Sequence, residues 1–330
     1  VERSRGLGDV YKRQTNTIML MLKKTIAALS LLSILAACQN DENPSQPEPK
    51  PRQDINLTRA EQEFMDKGTD FAFRFFDQVC STEKEKPNVF VSPLSASLCL
   101  SMITNGATDN TLAEMQNVLG FPANTFSLDD LNNYNQKLTS ALLDLDNTTQ
   151  LGIANSIWIE EGFKVYDSFV DVNKKMYDAQ VQELDFTSPT AKDVINQWCA
   201  TQTNNCIKEV IQEIPADARM YLINALYFKG IWKSQFDKSA TGQDNFTNVD
   251  GSQQKVAMMN QTATFSYTQT DDFSIAELPY GNEAFSMVIL LPSGDKTLDE
   301  SLPNLNYENW KQWSKNMVGK ELQIKLPRFK

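Results

Sequence analysis

N-A-L-Y-F-K-G-I-W, residues 224–232, is the stretch that decides the fold. Apolar and aromatic residues fall on both parities of residues 220–228, a pattern expected of a central strand covered on both faces. Gly230 lets the chain leave the sheet, and Trp232 is placed to pack at the exit. One polar side chain, Asn224, sits mid-strand, and an amide buried there demands hydrogen-bond partners.

Working outward, Thr58-Arg59-Ala60-Glu61 reads as a capping box, ahead of an apolar face made of Phe64, Phe71, Ala72, Phe75, Phe76 and Val79. Ser92-Pro93-Leu94-Ser95 opens a second, buried helix, with Ser92 as N-cap and Pro93 where its missing N–H costs nothing. Further helices are predicted over 111–119, 129–145, 166–177 and 190–201, and strands over 151–159, 220–228 and 322–326. Residues 274–280 and 285–292, joined through Gly281-Asn282, read as a hairpin. Helices first and strands later, without βαβ alternation or a fixed-period repeat, predict one α+β domain with large sheets.

The chain contains no histidine, so Ser-His-Asp and Cys-His constellations and histidine-ligated metal sites cannot be built from it. Ser81 and Lys84 have the S-x-x-K spacing of a penicillin-binding nucleophile, yet lie in a charged linker without the S-D-N or K-T-G partners. Asp144 and Asp146 begin like a calcium loop, but Thr149 and Asn155 stand where glycine and glutamate are required, so the segment reads as a solvated turn. Cys199 and Cys206, if they share a helix, are separated by about 10 Å at 1.5 Å per residue, beyond disulfide reach, and are expected as free thiols.

Residues 8–14, G-D-V-Y-K-R-Q, match the translation of a transposon sequencing adapter, so 1–14 are expected to be non-native and the gene product to begin at Met19 or Met21. Residues 19–37 then read as a signal peptide: Lys23 and Lys24 precede an apolar run too short to span a membrane. Its end, Leu35-Ala36-Ala37-Cys38, resembles a bacterial lipobox, which makes Cys38 the acylated first residue. Residues 38–57 form a proline-rich tether, and Asp41-Glu42 resembles a surface-export signal of bacterial lipoproteins. Removing residues 1–37 takes away six basic and two acidic residues and moves the net charge from −11 to −15. So acidic a chain offers no footprint for nucleic acid, and its expected membrane contact is the lipid anchor.

Several segments, taken in order, resemble the serpin family of serine protease inhibitors. They are N-V-F-V-S-P-L-S from Asn88, G-A-T-D-N-T from Gly106, A-N-S-I-W from Ala154 and Y-D-A-Q-V-Q-E-L-D-F from Tyr177. I-N-Q-W from Ile195, the 224–232 run, V-A-M-M from Val256, E-L-P-Y from Glu277, S-M-V-I-L-L-P from Ser286 and the closing L-P-R-F-K follow. The resemblance implies a serpin domain over 58–330, with a large central sheet, further sheets and surrounding helices, cut short before the reactive loop and C-terminal strands. It places strands of that missing tail between 220–228 and 322–326. It also implies a monomeric, cofactor-free, non-enzymatic suicide inhibitor of serine endopeptidases, with papain-like cysteine endopeptidases as a second target class. The target would form a covalent acyl complex at a reactive bond beyond Lys330. Ser92, Ser95 and Asn224 would serve as the conformational switch where strands slide, and Trp232 would mark the site where loop insertion begins. The alternatives are a non-inhibitory serpin acting as a binding or structural module, and a surface lipoprotein for nutrient capture.

Overall fold

Among the described residues four helices precede the first strand: α1 (Arg59–Thr82), α2 (Pro93–Thr104), α3 (Asp109–Leu119) and α4 (Leu128–Asp144). After β1 (Gln150–Glu160) come α5 (Asp167–Tyr177), β2 (Gln180–Leu184), α6 (Ala191–Gln202) and β3 (Met220–Lys229). The remainder is mostly strand: β4 (Gly242–Thr247), β5 (Gln253–Gln269), β6 (Phe273–Pro279) and β7 (Ser286–Pro292), then short α7 (Leu298–Ser301), α8 (Tyr307–Lys315) and β8 (Val318–Pro327). This computed structural model describes residues 48–329 except 84, 85, 87, 123, 124 and 249. The adapter-like stretch, the signal peptide, Cys38, most of the tether and Lys84 lie outside the described residues. Among those described, no helix is long and apolar enough to cross a membrane.

The helix starts follow from their caps. Thr58 and Glu61 complete the capping box, with Thr58 N donating to Glu61 Oε2 at 2.7 Å and Glu61 N to Thr58 Oγ1 at 3.3 Å. The Lys137 ammonium, 2.7 Å away on α4, holds the Glu61 carboxyl down to about 2 and ties the two helices together. Beneath them Phe64, Phe71, Phe121, Phe126, Leu131 and Tyr134 form a buried aromatic-rich cluster. Val89, Phe90 and Val91 pass alongside α1 and, with Phe73 and Phe76, line an apolar groove in which Phe90 is fully exposed.

Two sheets organise the rest. The first has the order β2-β1-β3, with β2 parallel and β3 antiparallel to β1. One face, bearing Ile153, Ile157, Ile159, Met220 and Leu222, packs with Leu98 and Met102 of α2 and Phe169 and Tyr177 of α5. The other, bearing Ala154, Trp158, Tyr221, Ile223 and Ala225, packs with Ile195, Trp198 and Cys199 of α6. The two-parity pattern of 220–228 therefore does reflect cover on both faces. Among the described residues β3 is an edge strand flanked by β1 alone, and most of its side chains are half-buried.

The second sheet is built on the 17-residue β5, which pairs with β4, β6 and β8, while β7 extends the β6 hairpin. Residues 322–326 belong to β8 and pair with β5, and among the described residues they pair with no strand of the first sheet. The register pairs Ala263 with Leu322 and Met259 with Leu326, and that apolar matching sets the partner. Cys206 lies beyond the end of α6, so it does not share a helix with Cys199, and both are free, Cys199 buried and Cys206 exposed.

Candidate functional site

Asn224 lies directly opposite Asn155 in the β1–β3 ladder. Side chains alternate along a strand, so Asn224 shares its face with Met220 and Leu222 and Asn155 shares its face with Ile153 and Ile157, which points both amides toward the layer of α2 and α5. Asn224 Nδ2 donates to Asn155 Oδ1 at 2.8 Å, and Asn155 Nδ2 donates to the carbonyl of Tyr177, at the end of α5, at 2.7 Å. The mid-strand amide is thus held by a second one and, through it, by a helix terminus. Asn224 Oδ1, however, is buried without a partner among the described residues. A buried orphan acceptor costs about 1–3 kcal/mol, so the site is one hydrogen bond short.

The phenol of Tyr177 carries the polar path onward. Tyr177 Oη donates to Asn132 Oδ1 at 2.7 Å and accepts from Asn135 Nδ2 at 3.3 Å, while Asn132 and Asn105 exchange amide bonds at 2.8 and 3.1 Å. Burial pushes the phenol up to about 12, so it stays protonated and keeps its role as donor. The path therefore links α2, α4, α5, β1 and β3 without a single formal charge.

The expected switch residues do not meet in one cluster. Ser92 caps α2, accepting from Ser95 N at 3.2 Å, and the two hydroxyls bond each other at 2.8 Å. Neither serine is hydrogen-bonded to Asn224. α2 does reach β3 through Cys99, whose thiol lies 3.8 Å from the Leu222 carbonyl and is pushed up to about 11 by burial, so it remains a thiol. Trp232 sits at a separate corner: its ring stacks on Tyr280 at 4.3 Å and meets Phe236 edge-on. Gly230 serves close approach there, since a Cβ would lie 2.6 Å from the Tyr280 ring. Sequence reasoning missed Asn155 and Tyr177. An asparagine between Ile153 and Ile157, interrupting an apolar strand just as Asn224 does, was the available signal.

With this geometry established, comparison with known proteins places the chain. The family model Serpin (serine protease inhibitor) matches residues 66–330. The chain belongs to the serpin family. It is 33% identical over 267 residues to an uncharacterized serpin-like protein of Methanosarcina acetivorans, a match covering 79% of this chain and 62% of that protein. It is 30% identical to human Serpin B3, over 79% of this chain and 72% of the relative. The crystal structure of the thermophilic serpin tengpin in its latent state superposes with a TM-score of 0.74 at 30% identity, covering 84% of this chain and 73% of tengpin. The chain thus spans less than two thirds of the Methanosarcina protein and under three quarters of the other two.

Asn155 carries more of the network than Asn224. Asn155→Ala strands the Asn224 amide and the Tyr177 carbonyl together, whereas Asn224→Ala removes the orphan acceptor along with its donor and leaves only Asn155 Oδ1 unpaired in its place. Urea denaturation is expected to show Asn155→Ala destabilised by about 2–3 kcal/mol and Asn224→Ala by about 1. Equal losses would mean that the pair does not distribute its bonds as described.

Proposed function

We propose that the protein is a serpin-type suicide inhibitor of serine endopeptidases, with papain-like cysteine endopeptidases as a second target class. The observation that carries this reading is the neutral Asn224–Asn155 amide pair in the middle of β3, in a chain that matches the serpin family over residues 66–330. An amide in that position can give up one hydrogen-bond partner and take another when a neighbouring strand is added or moved. Loop insertion by serpins is a known instance of such strand addition, and the family match supports assigning it here. In this scheme Ser92, Ser95 and Asn224 form the region where strands part and Trp232 the corner where insertion starts. Every group found there is neutral, so no charge must be desolvated as partners exchange.

The test uses the protein expressed from its whole gene and incubated with trypsin and with elastase. An SDS-resistant band at the summed mass, lost when the protease serine is blocked beforehand, is the expected result. Cleavage of the protein with no complex would overturn inhibition and favour the non-inhibitory serpin reading.

We also propose that the protein is an exported lipoprotein held at the bacterial outer membrane or cell surface by an acyl chain on Cys38. The Leu35-Ala36-Ala37-Cys38 run after an apolar segment, and the proline-rich tether that follows, support this. Expression in a bacterial host is expected to incorporate labelled fatty acid, and Cys38→Ser to abolish it. A soluble, unacylated wild-type protein would contradict the anchor.

A further inference from the structure

The turn of residues 145–149, between α4 and β1, bonds on two sides. On one side Asn147 grips the segment that precedes α1. Lys50 N donates to Asn147 Oδ1 at 2.8 Å, and Asn147 Nδ2 donates to the Glu48 carbonyl at 2.9 Å. One amide side chain thereby satisfies a backbone donor and a backbone acceptor two residues apart, as a neighbouring strand would. The Lys50 ammonium adds an ion pair with Asp144 at 2.7 Å, which contributes little because both groups are exposed. Pro49 and Pro51 stiffen the segment before it docks, so docking orders little additional chain.

On the other side the same turn holds the β6–β7 connection. Asp146, expected in a solvated turn, is instead buried. Its Oδ1 accepts from Thr148 N and Thr148 Oγ1, both at 2.8 Å, and its Oδ2 from Thr149 Oγ1 at 2.9 Å and Asn282 N at 3.5 Å. Asn282 Nδ2 donates to the Leu145 carbonyl at 2.7 Å. Only glycine fits at 281, where a Cβ would fall 2.1 Å from Thr148 Oγ1 and 2.2 Å from Asp146 Oδ2. Gly281 N in turn donates to the Ile231 carbonyl at 2.7 Å, and its neighbour Tyr280 carries the stacked Trp232. Strap, turn, hairpin connection and Trp232 are therefore consecutive members of one bonded series.

We propose that residues 48–50 are a strap whose docking on Asn147 keeps turn 145–149 seated on Gly281-Asn282 and, through it, keeps the Trp232–Tyr280 corner closed. Tension on the chain before Glu48, or a partner that binds it, undocks the strap and loosens the corner. This coupling requires the strap to exchange between the docked position and a free one, since separated places are linked by an element with two arrangements. All these contacts lie within residues 48–282, and the coupling holds whether or not the protein inhibits a protease.

Hydrogen–deuterium exchange resolved to single amides tests the coupling in the full chain. The Lys50 amide is expected to be protected in the wild type and to exchange at the rate of an open chain in Asn147→Ala. In that variant the amides of 231–233 and 280–283 should exchange several-fold faster, with the β5–β8 pairing unchanged. Lys50→Pro removes the strap's donor N–H and its ammonium from an exposed position, leaving Asn147 and the core intact, and should loosen the same corner amides. If Asn147→Ala does not fold, Lys50→Pro decides alone. Wild-type protection at the corner in Lys50→Pro, or an unprotected Lys50 amide in the wild type, overturns the proposal.

Discussion

A neutral amide in the middle of an apolar strand is the constraint on which the first sheet depends. Asn224 cannot be buried beside Leu222 and Ala225 without a partner, and the register that places Asn155 opposite supplies one. A slip of β3 by one residue would turn Asn224 to the other face, away from Asn155 and toward the cluster of Trp158 and Tyr221. Asn155 then has to engage the Tyr177 carbonyl, which fixes where α5 ends relative to β1. One polar group thus specifies a strand register and the seat of a helix, with Asn224 Oδ1 left without a partner among the described residues.

That amide pair joins fold to function. A core built for a static sheet would place a hydrophobic residue at 224, since an orphaned amide costs more than a packed methyl group gains. An amide there is favourable where its partner changes, because it can give up one neighbour and take another without moving charge. The Trp232 corner obeys a different logic, in which Gly230 and Gly281 admit close contacts that any side chain would block. Its bonds reach back through Asp146 to the segment entering the domain.

Most of the fold was legible because its elements carry local signals. The Thr58 box, the Ser92-Pro93 start and the Gly281-Asn282 connection each announce a boundary, and the structure places elements within a few residues of them. What escaped notice lacked such a signal. β5 runs through Q-Q-K-V-A-M-M-N-Q-T-A-T-F-S-Y-T-Q, polar over long stretches, and owes its 17-residue length to β4, β8 and β6 pairing along it. β2 reads Q-V-Q-E-L, and its glutamate and glutamines suit a sheet edge. Asp146 was misread because its burial comes from a loop 136 residues further along the chain, which no local pattern reveals. For the site, Asn224 and Trp232 were legible as exceptions within an apolar run, whereas the partners Asn155 and Tyr280 depend on register and tertiary contact.

The central claim is that β3 changes its lateral partner when the protein traps a protease. Hydrogen exchange of the β3 amides in the protein expressed from its whole gene tests it most directly. In a strand paired with β1 alone, only alternate amides are bonded and slow, while the others exchange with solvent. The account predicts that both sets around Asn224 exchange more slowly in the protease complex than in the protein alone. Identical exchange in the two states would contradict it.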